Sequence, residues 1–168
     1  MQKIFLTFFY SGLCPKAPGT AGTILGALAA WFLLIILSKV GSAPSVSIFS
    51  LFLLTVLISI AAIDVINRHE AKIGIHDHQQ IVIDEVVGVW FAICVSFSTG
   101  FLQILLCVIF FRIFDIKKPS VIGRIDKNVK GGLGVVGDDL LAGLFAGIIS
   151  AGIWQLISKI EFVQNLNY

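Results

Sequence analysis

VVGVWFAICVSFSTGFLQILLCVIFFRI, residues Val86 to Ile113, is predominantly apolar, interrupted at Ser96, Ser98, Thr99 and Gly100, with a lone glutamine at Gln103 and an arginine near its end. One continuous helix over this stretch would be about 42 Å long and would carry Asp84 and Glu85 to the membrane face opposite Asp115. A hairpin of two short helices, Val86 to about Phe97 and Phe101 to about Ile113, turns at Ser98–Gly100, with arms of about 20 Å each. Charge favours the hairpin. Lys and Arg prefer the cytoplasmic side, and the hairpin returns Arg112 to Lys130 to the side that holds Arg68 and Lys72.

The surroundings of this stretch are those of a membrane protein. Of 168 residues, 57% are hydrophobic and 13% charged, and the mean hydropathy is +0.98; soluble domains are roughly a quarter charged. Several runs approach the roughly 20 apolar residues that cross a bilayer as a helix. The predicted architecture is all-α: a single multi-helical domain over residues 1–168, with spanning helices, the short hairpin and a polar site at the cytoplasmic face. A net charge of +2, with no basic stripe interleaved with aromatics, argues against nucleic acid as a partner. Cys14, Cys94 and Cys107 lack metal-ligand spacing and read as packing residues.

Taken in order, MQKIFLTFFYSGLC imitates a secretion signal, but its apolar core is short and no small-x-small cleavage site follows, so it is expected to be retained along the membrane face. In CPKAPGTAGT, Pro18 and Gly19 break an incoming helix, and Thr20 or Thr23 is placed to cap the next one. The bare N–H groups of that helix start, with Lys16 nearby, also suit a phosphate. Spanning helices are predicted from Thr23 to Leu37, from Val46 to Ile63 with Asp64 at its exit, and from Leu140 to Ile157. The last carries Ala142, Gly143, Ala146, Gly147, Ala151 and Gly152, a small-residue series for close helix packing.

Two polar segments interrupt these runs. The first, Asp64 to Glu85, contains His76, Asp77, His78, Asp84 and Glu85; the second, Phe111 to Asp139, contains Arg112, Asp115, Lys117, Lys118, Asp126, Asp138 and Asp139. The hairpin puts both acidic sets on one face. Clustered carboxylates repel unless protonated or bridged by a cation, and an oxygen-only set suits a hard ion such as Mg²⁺. Arg112 reads as a phosphate clamp or an interfacial anchor. Lys117 joins it, while the remaining lysines read as lipid-headgroup contacts. His76 and His78 are candidate proton carriers. Gly131, Gly132, Gly134 and Gly137 read as a tight turn with an anion nest before Asp138. No Cys-x5-Arg loop, Asp-x-Asp pair or Pro-Ser-Gly-His stretch is present, which leaves water activated by a metal among the phosphatase routes.

Four segments carry a resemblance. SGLCPKAPGTAGT (Ser11 to Thr23), HDHQQIVIDEVVG (His76 to Gly88), FRIFDIKKP (Phe111 to Pro119) and DKNVKGGLGVVGDDLLAG (Asp126 to Gly143), in that order, closely resemble the phosphatidylglycerophosphatase A family. The resemblance implies a bacterial inner-membrane enzyme, with its site facing the cytoplasm, that removes the phosphomonoester of phosphatidylglycerophosphate in a Mg²⁺-dependent reaction. It matches the family's acidic positions at Asp84, Glu85, Asp115, Asp126, Asp138 and Asp139, and its basic ones at Arg112 and Lys117. The expected site has Asp84, Glu85, Asp138 and Asp139 holding Mg²⁺ with Asp115 in support. Arg112, Lys117 and Thr20 bind phosphate, and His76, His78 or Asp126 moves protons. Two competing readings are weaker. An alcohol phosphatidyltransferase needs an Asp-Gly-x-x-Ala-Arg pattern that is missing, and an ion-coupled carrier needs acids at mid-bilayer rather than at helix ends.

Overall fold

A computed structural model of the chain describes residues 2–74, 79–119 and 121–159. Its regular elements are helices: α1 (Gln2–Leu6), α2 (Pro18–Lys39), α3 (Pro44–Ile73), α4 (Ile83–Val95), α5 (Phe101–Lys117), α6 (Val121–Asn128) and α7 (Gly132–Ile157). Three of them, α2, α3 and α7, are long and apolar enough to cross a membrane, at about 33, 45 and 39 Å. The chain is an all-helical membrane protein, and Val86 to Ile113 is a hairpin of two short helices, as its sequence predicts.

The hairpin's first arm is the centre of the bundle. Val86, Val87, Val89, Ala92 and Ile93 of α4 are fully buried, with α2, α3, α5 and α7 packed round them. Close contact depends on small residues. A Cβ on Gly143 of α7 would lie 2.3 Å from the Gly88 carbonyl oxygen of α4, and one on Gly147 would lie 2.7 Å from that of Ala92. The Trp90 indole N–H ties α4 to α2 by donating to the Gly26 carbonyl at 2.7 Å. Of the small series on α7, the part from Ala142 to Gly147 serves this seam, whereas Gly152 meets nothing within 4 Å among the described residues.

The hairpin does not cross. Its tip packs beside Trp31 of α2, whose ring centroid is 5.2 Å from that of Phe101, and beside Gly147 of α7. From those levels α2 runs on to Lys39 and α7 to Ile157, about 12 and 15 Å further. A turn within hydrocarbon must satisfy its own polar groups. Gln103 Oε1 accepts from the Thr99 and Gly100 N–H groups, and Ser96 Oγ lies within bonding distance of Ser98 Oγ (2.5 Å) and Cys107 Sγ (3.1 Å).

Several helix ends differ from those predicted. Helix α2, predicted from Thr23, begins at Pro18, which still blocks a helix entering from the left and whose missing N–H is no loss at the first position. Neither Thr20 nor Thr23 is a cap, and Thr23 Oγ1 instead donates to the Gly19 carbonyl at 2.8 Å. Helix α3 continues past Asp64, supported by an exposed Arg68–Asp64 pair at 2.8 Å, and ends at Gly74 in a left-handed conformation. The glycine-rich turn is not a nest. Only Gly131, at φ 75°, lies outside α7, and Gly132 and Gly134 let the helix start press against the Ile63 and Val129 carbonyls. Gly132 N–H donates to Asn67 Oδ1 at 2.7 Å, which anchors α7 to α3. The N-terminal stretch packs through Leu6 and Phe8, and the Leu6 carbonyl accepts from Val82 N–H just before α4.

Candidate active site

Five helices end or begin around one pocket of about 780 Å³. The first turn of α4 supplies Asp84 and Glu85, where carboxylates are favoured by the helix N-terminus. The last turns of α5 supply Arg112 and Asp115, followed by Lys118. Helix α6 gives Asp126, α7 gives Asp138 and Asp139, and the first turn of α2 gives Gly19 and Thr20.

The acids divide by partner. Lys118 Nζ holds Asp126 Oδ1 at 2.5 Å and Asp138 Oδ2 at 2.6 Å. Arg112 Nη1 pairs with Asp115 and lies 3.9 Å from Glu85 Oε1 and 3.5 Å from Thr23 Oγ1. Asp84, Glu85 and Asp139 form a third group, each offering one oxygen so that all three lie within 4.8 Å of one another.

Two buried carboxyl groups and one partly buried at that range are a proton trap or a cation site. Burial first, and then the carboxylate of Asp139, push the Glu85 carboxyl up to about 8, while its hydrogen bond with Asp84 and the Arg112 charge pull the other way. Among the described residues, Glu85 Oε2 and Arg112 Nε are buried without a hydrogen-bond partner, as expected of groups directed at a ligand. The donors are all carboxylate oxygens, so the set fits a hard divalent cation. Lys118 behaves oppositely. Burial alone would lower its ammonium, but Asp126 and Asp138 overcome this and raise it above the ordinary lysine range.

Two glycines make room for the arrangement. A Cβ on Gly19 would sit 2.2 Å from Glu85 Oε1, so a side chain there would displace the carboxylate from its present position. Gly88 lies one turn beyond Asp84. A Cβ there would meet the Phe111 ring at 2.5 Å and the Asp139 carbonyl at 2.9 Å, which would drive α7 and α5 away from α4.

The structure therefore brings together Thr20, Asp84, Glu85, Arg112, Asp115, Asp126, Asp138 and Asp139, all named from sequence. Lys117 is exposed and outside the pocket, and Lys118 stands in it instead. His76, Asp77 and His78 lie outside the described residues; Gln79, the next residue after them, lines the pocket. A signal for Lys118 exists in the sequence. Arg112, Asp115 and Lys118 recur at i, i+3, which places them on one helix face, whereas Lys117 falls off it. Nothing in the local pattern marks Gly19 or Gly88, because their role is to admit a neighbour.

The chain matches the family model described as phosphatidylglycerophosphatase A over residues 4–154. It is 35% identical over 150 residues to phosphatidylglycerophosphatase A of Escherichia coli, covering 89% of this chain and 78% of that protein. It is 37% identical over 150 residues to the Haemophilus influenzae protein of the same name, covering 88% and 86%. A Bacteroides thetaiotaomicron protein provisionally named phosphatidylinositol-3-phosphatase is 35% identical over 150 residues, covering 86% and 88%. No solved structure matches the chain.

Proposed function

Because the chain belongs to the phosphatidylglycerophosphatase A family, we propose that it hydrolyses the phosphomonoester of phosphatidylglycerophosphate to phosphatidylglycerol and inorganic phosphate, with Mg²⁺ held by Asp84, Glu85 and Asp139. The observation that carries the metal assignment is the 4.8 Å carboxylate triad beside Arg112. When bound there, Mg²⁺ supplies positive charge against the phosphate oxygens and a water acidic enough to attack phosphorus at neutral pH.

The chain's own groups do the rest. Arg112, held in place by Asp115, turns its guanidinium to the phosphate. The first-turn N–H groups of Gly19 and Thr20, which have no carbonyl one turn back, suit another phosphate oxygen. In the reaction a water oxygen bonds to phosphorus, the bond from phosphorus to the glycerol oxygen breaks, and that oxygen takes up a proton. Asp126, anchored through Oδ1 to Lys118, is one candidate to exchange it. His76 and His78 are the others. Lys118 holds Asp138 and Asp126 in place, which leaves the triad to the cation.

The site faces the cytoplasm of a bacterial inner membrane. Of the 12 Lys and Arg residues, all but Lys39 and Lys159 lie in the segments at the site end, in keeping with the positive-inside bias. The test is release of inorganic phosphate from phosphatidylglycerophosphate in detergent micelles, with Mg²⁺ and with EDTA. Release that survives chelation would remove the metal from the mechanism. Faster release from phosphatidylinositol 3-phosphate would move the headgroup assignment toward the name of the Bacteroides relative.

A further inference from the structure

We propose that the cleft between α2 and α5 seats one acyl chain of the lipid whose phosphate enters the polar pocket; this rests on reading that pocket as a lipid phosphatase site. The cleft, about 290 Å³, is lined only by apolar surface, with Ile24, Leu28 and Trp31 on one wall and Phe101, Leu105 and Val108 on the other.

Its register ties it to the pocket. Ile24 is one helical turn above Thr20, and Val108 is one turn above Arg112, so each pair shares a helix face. Thr20 and Arg112 line the polar pocket, and Ile24 and Val108 line the cleft. Between them Arg112 Nη1 meets Thr23 Oγ1 at 3.5 Å and closes the floor. At the other end the Trp31 and Phe101 rings, 5.2 Å apart, form the terminus.

Length fits the same occupant. From Arg112 to Phe101 the helix rises about 16 Å, against about 15 Å for half of a 30 Å hydrocarbon layer. A lipid with its phosphate at Arg112 would end its chain against Trp31 and Phe101, where the hairpin turns. Ile24, Leu28, Phe101 and Leu105 are exposed along the cleft, so a lipid can enter sideways from its own leaflet. The apolar cleft at Phe49, Phe52 and Phe97, lined by α3 and the far end of α4 rather than by α2 and α5, serves as the control.

The test compares dioleoyl with dihexanoyl phosphatidylglycerophosphate in mixed micelles, reading phosphate release by wild-type protein and by Leu28→Trp, Leu105→Trp and Phe49→Trp. The ratio of KM values, long chain over short, should rise about tenfold in the first two, the equivalent of roughly two methylenes losing their contacts, and stay at the wild-type value in Phe49→Trp. An unchanged ratio in the first two would overturn the assignment. A measurement that needs no variant uses the long-chain lipid with a diazirine at the acyl terminus, photolysed on wild-type protein. Label on Trp31, Phe101 or Leu105 supports the cleft, and label concentrated on α3 or on Phe97 overturns it. Failure of wild-type protein to release phosphate from either lipid would instead sink the lipid-phosphatase reading, whatever the labelling shows.

Discussion

Glu85 at the start of α4 and Asp139 in α7 each place a carboxylate oxygen in a group spanning no more than 4.8 Å, although they come from polar segments far apart in the chain. The hairpin makes this possible. A single helix over Val86 to Ile113 would have sent the second acidic segment to the other face of the membrane. The short arms bring it back, and α4 lies against α7 along the Gly88–Gly143 contact so that the two carboxylates meet.

Glu85→Gln and Asp139→Asn each remove one charged ligand while preserving shape. Phosphate release should fall by about 10²–10³-fold, the scale of losing one centre of transition-state charge stabilisation, and the Mg²⁺ concentration for half-maximal rate should rise. Wild-type turnover in either variant, with the protein inserted and helical by circular dichroism, would exclude that residue from the site.

Lys118→Met should be far more damaging than Lys117→Met. It leaves Asp138, only 3% exposed, and Asp126 without their shared cation. A loss of about 1–3 kcal/mol is expected after allowing for the partial exposure of Lys118, together with at least a tenfold loss of rate. Lys117 is exposed, and its replacement should stay within about 0.5 kcal/mol. Thermal unfolding in detergent and steady-state rates decide the comparison, and equal effects at the two lysines would contradict it.

Gly88→Ala tests whether the α4–α7 seam sets the site geometry. Its methyl would press on Phe111 and the Asp139 carbonyl, at about 1–3 kcal/mol for overpacking, with activity lost disproportionately because the triad is spread. Gly152→Ala, where nothing lies within 4 Å among the described residues, should stabilise α7 by about 0.5–1 kcal/mol and leave activity unchanged. The contrast is read from kcat and melting temperature together.

Metal affinity should depend on pH in a definite direction. Without a cation the Glu85 carboxyl, raised to about 8, holds a proton below that pH, and a bound cation must displace it. Apparent Mg²⁺ affinity should therefore weaken on acidification below pH 8, by up to about tenfold per unit for one displaced proton, and level off above it. Calorimetric titration in buffers of different ionisation enthalpy should show proton release at pH 7. Glu85→Gln should abolish that release; its persistence would assign the proton elsewhere.

Much of the site was legible because its residues are expensive in a membrane. Acids in apolar surroundings stand out from the background, so Asp84, Glu85, Asp115, Asp126, Asp138 and Asp139 were all identifiable by type alone. Lys117 reads as the phosphate ligand and Lys118 as a lipid-headgroup contact, the reverse of their places at the pocket, although the i, i+3 spacing from Arg112 and Asp115 holds the distinction. The segment from Phe111 to Asp139 read as a polar interruption between apolar runs, yet most of it is helix, in α5, α6 and α7. Its glycines suggested a turn because glycine weakens an isolated helix; here Gly132 and Gly134 sit within one, where the absence of a side chain admits a neighbouring carbonyl.

The sequence by itself determined that this is a helical membrane protein with two acidic segments on one face, since hydropathy, charge asymmetry and the Ser98–Gly100 interruption are properties of local composition. Only the tertiary structure decided that α4 is the buried axis of the bundle, and that Asp84, Glu85 and Asp139 form a triad while Lys118 holds Asp126 and Asp138. The reason is physical. An apolar helix looks the same to hydropathy whether lipid or protein covers it, and a carboxylate's partner is set by which backbones can approach, which depends on glycines such as Gly19 and Gly88 facing another helix.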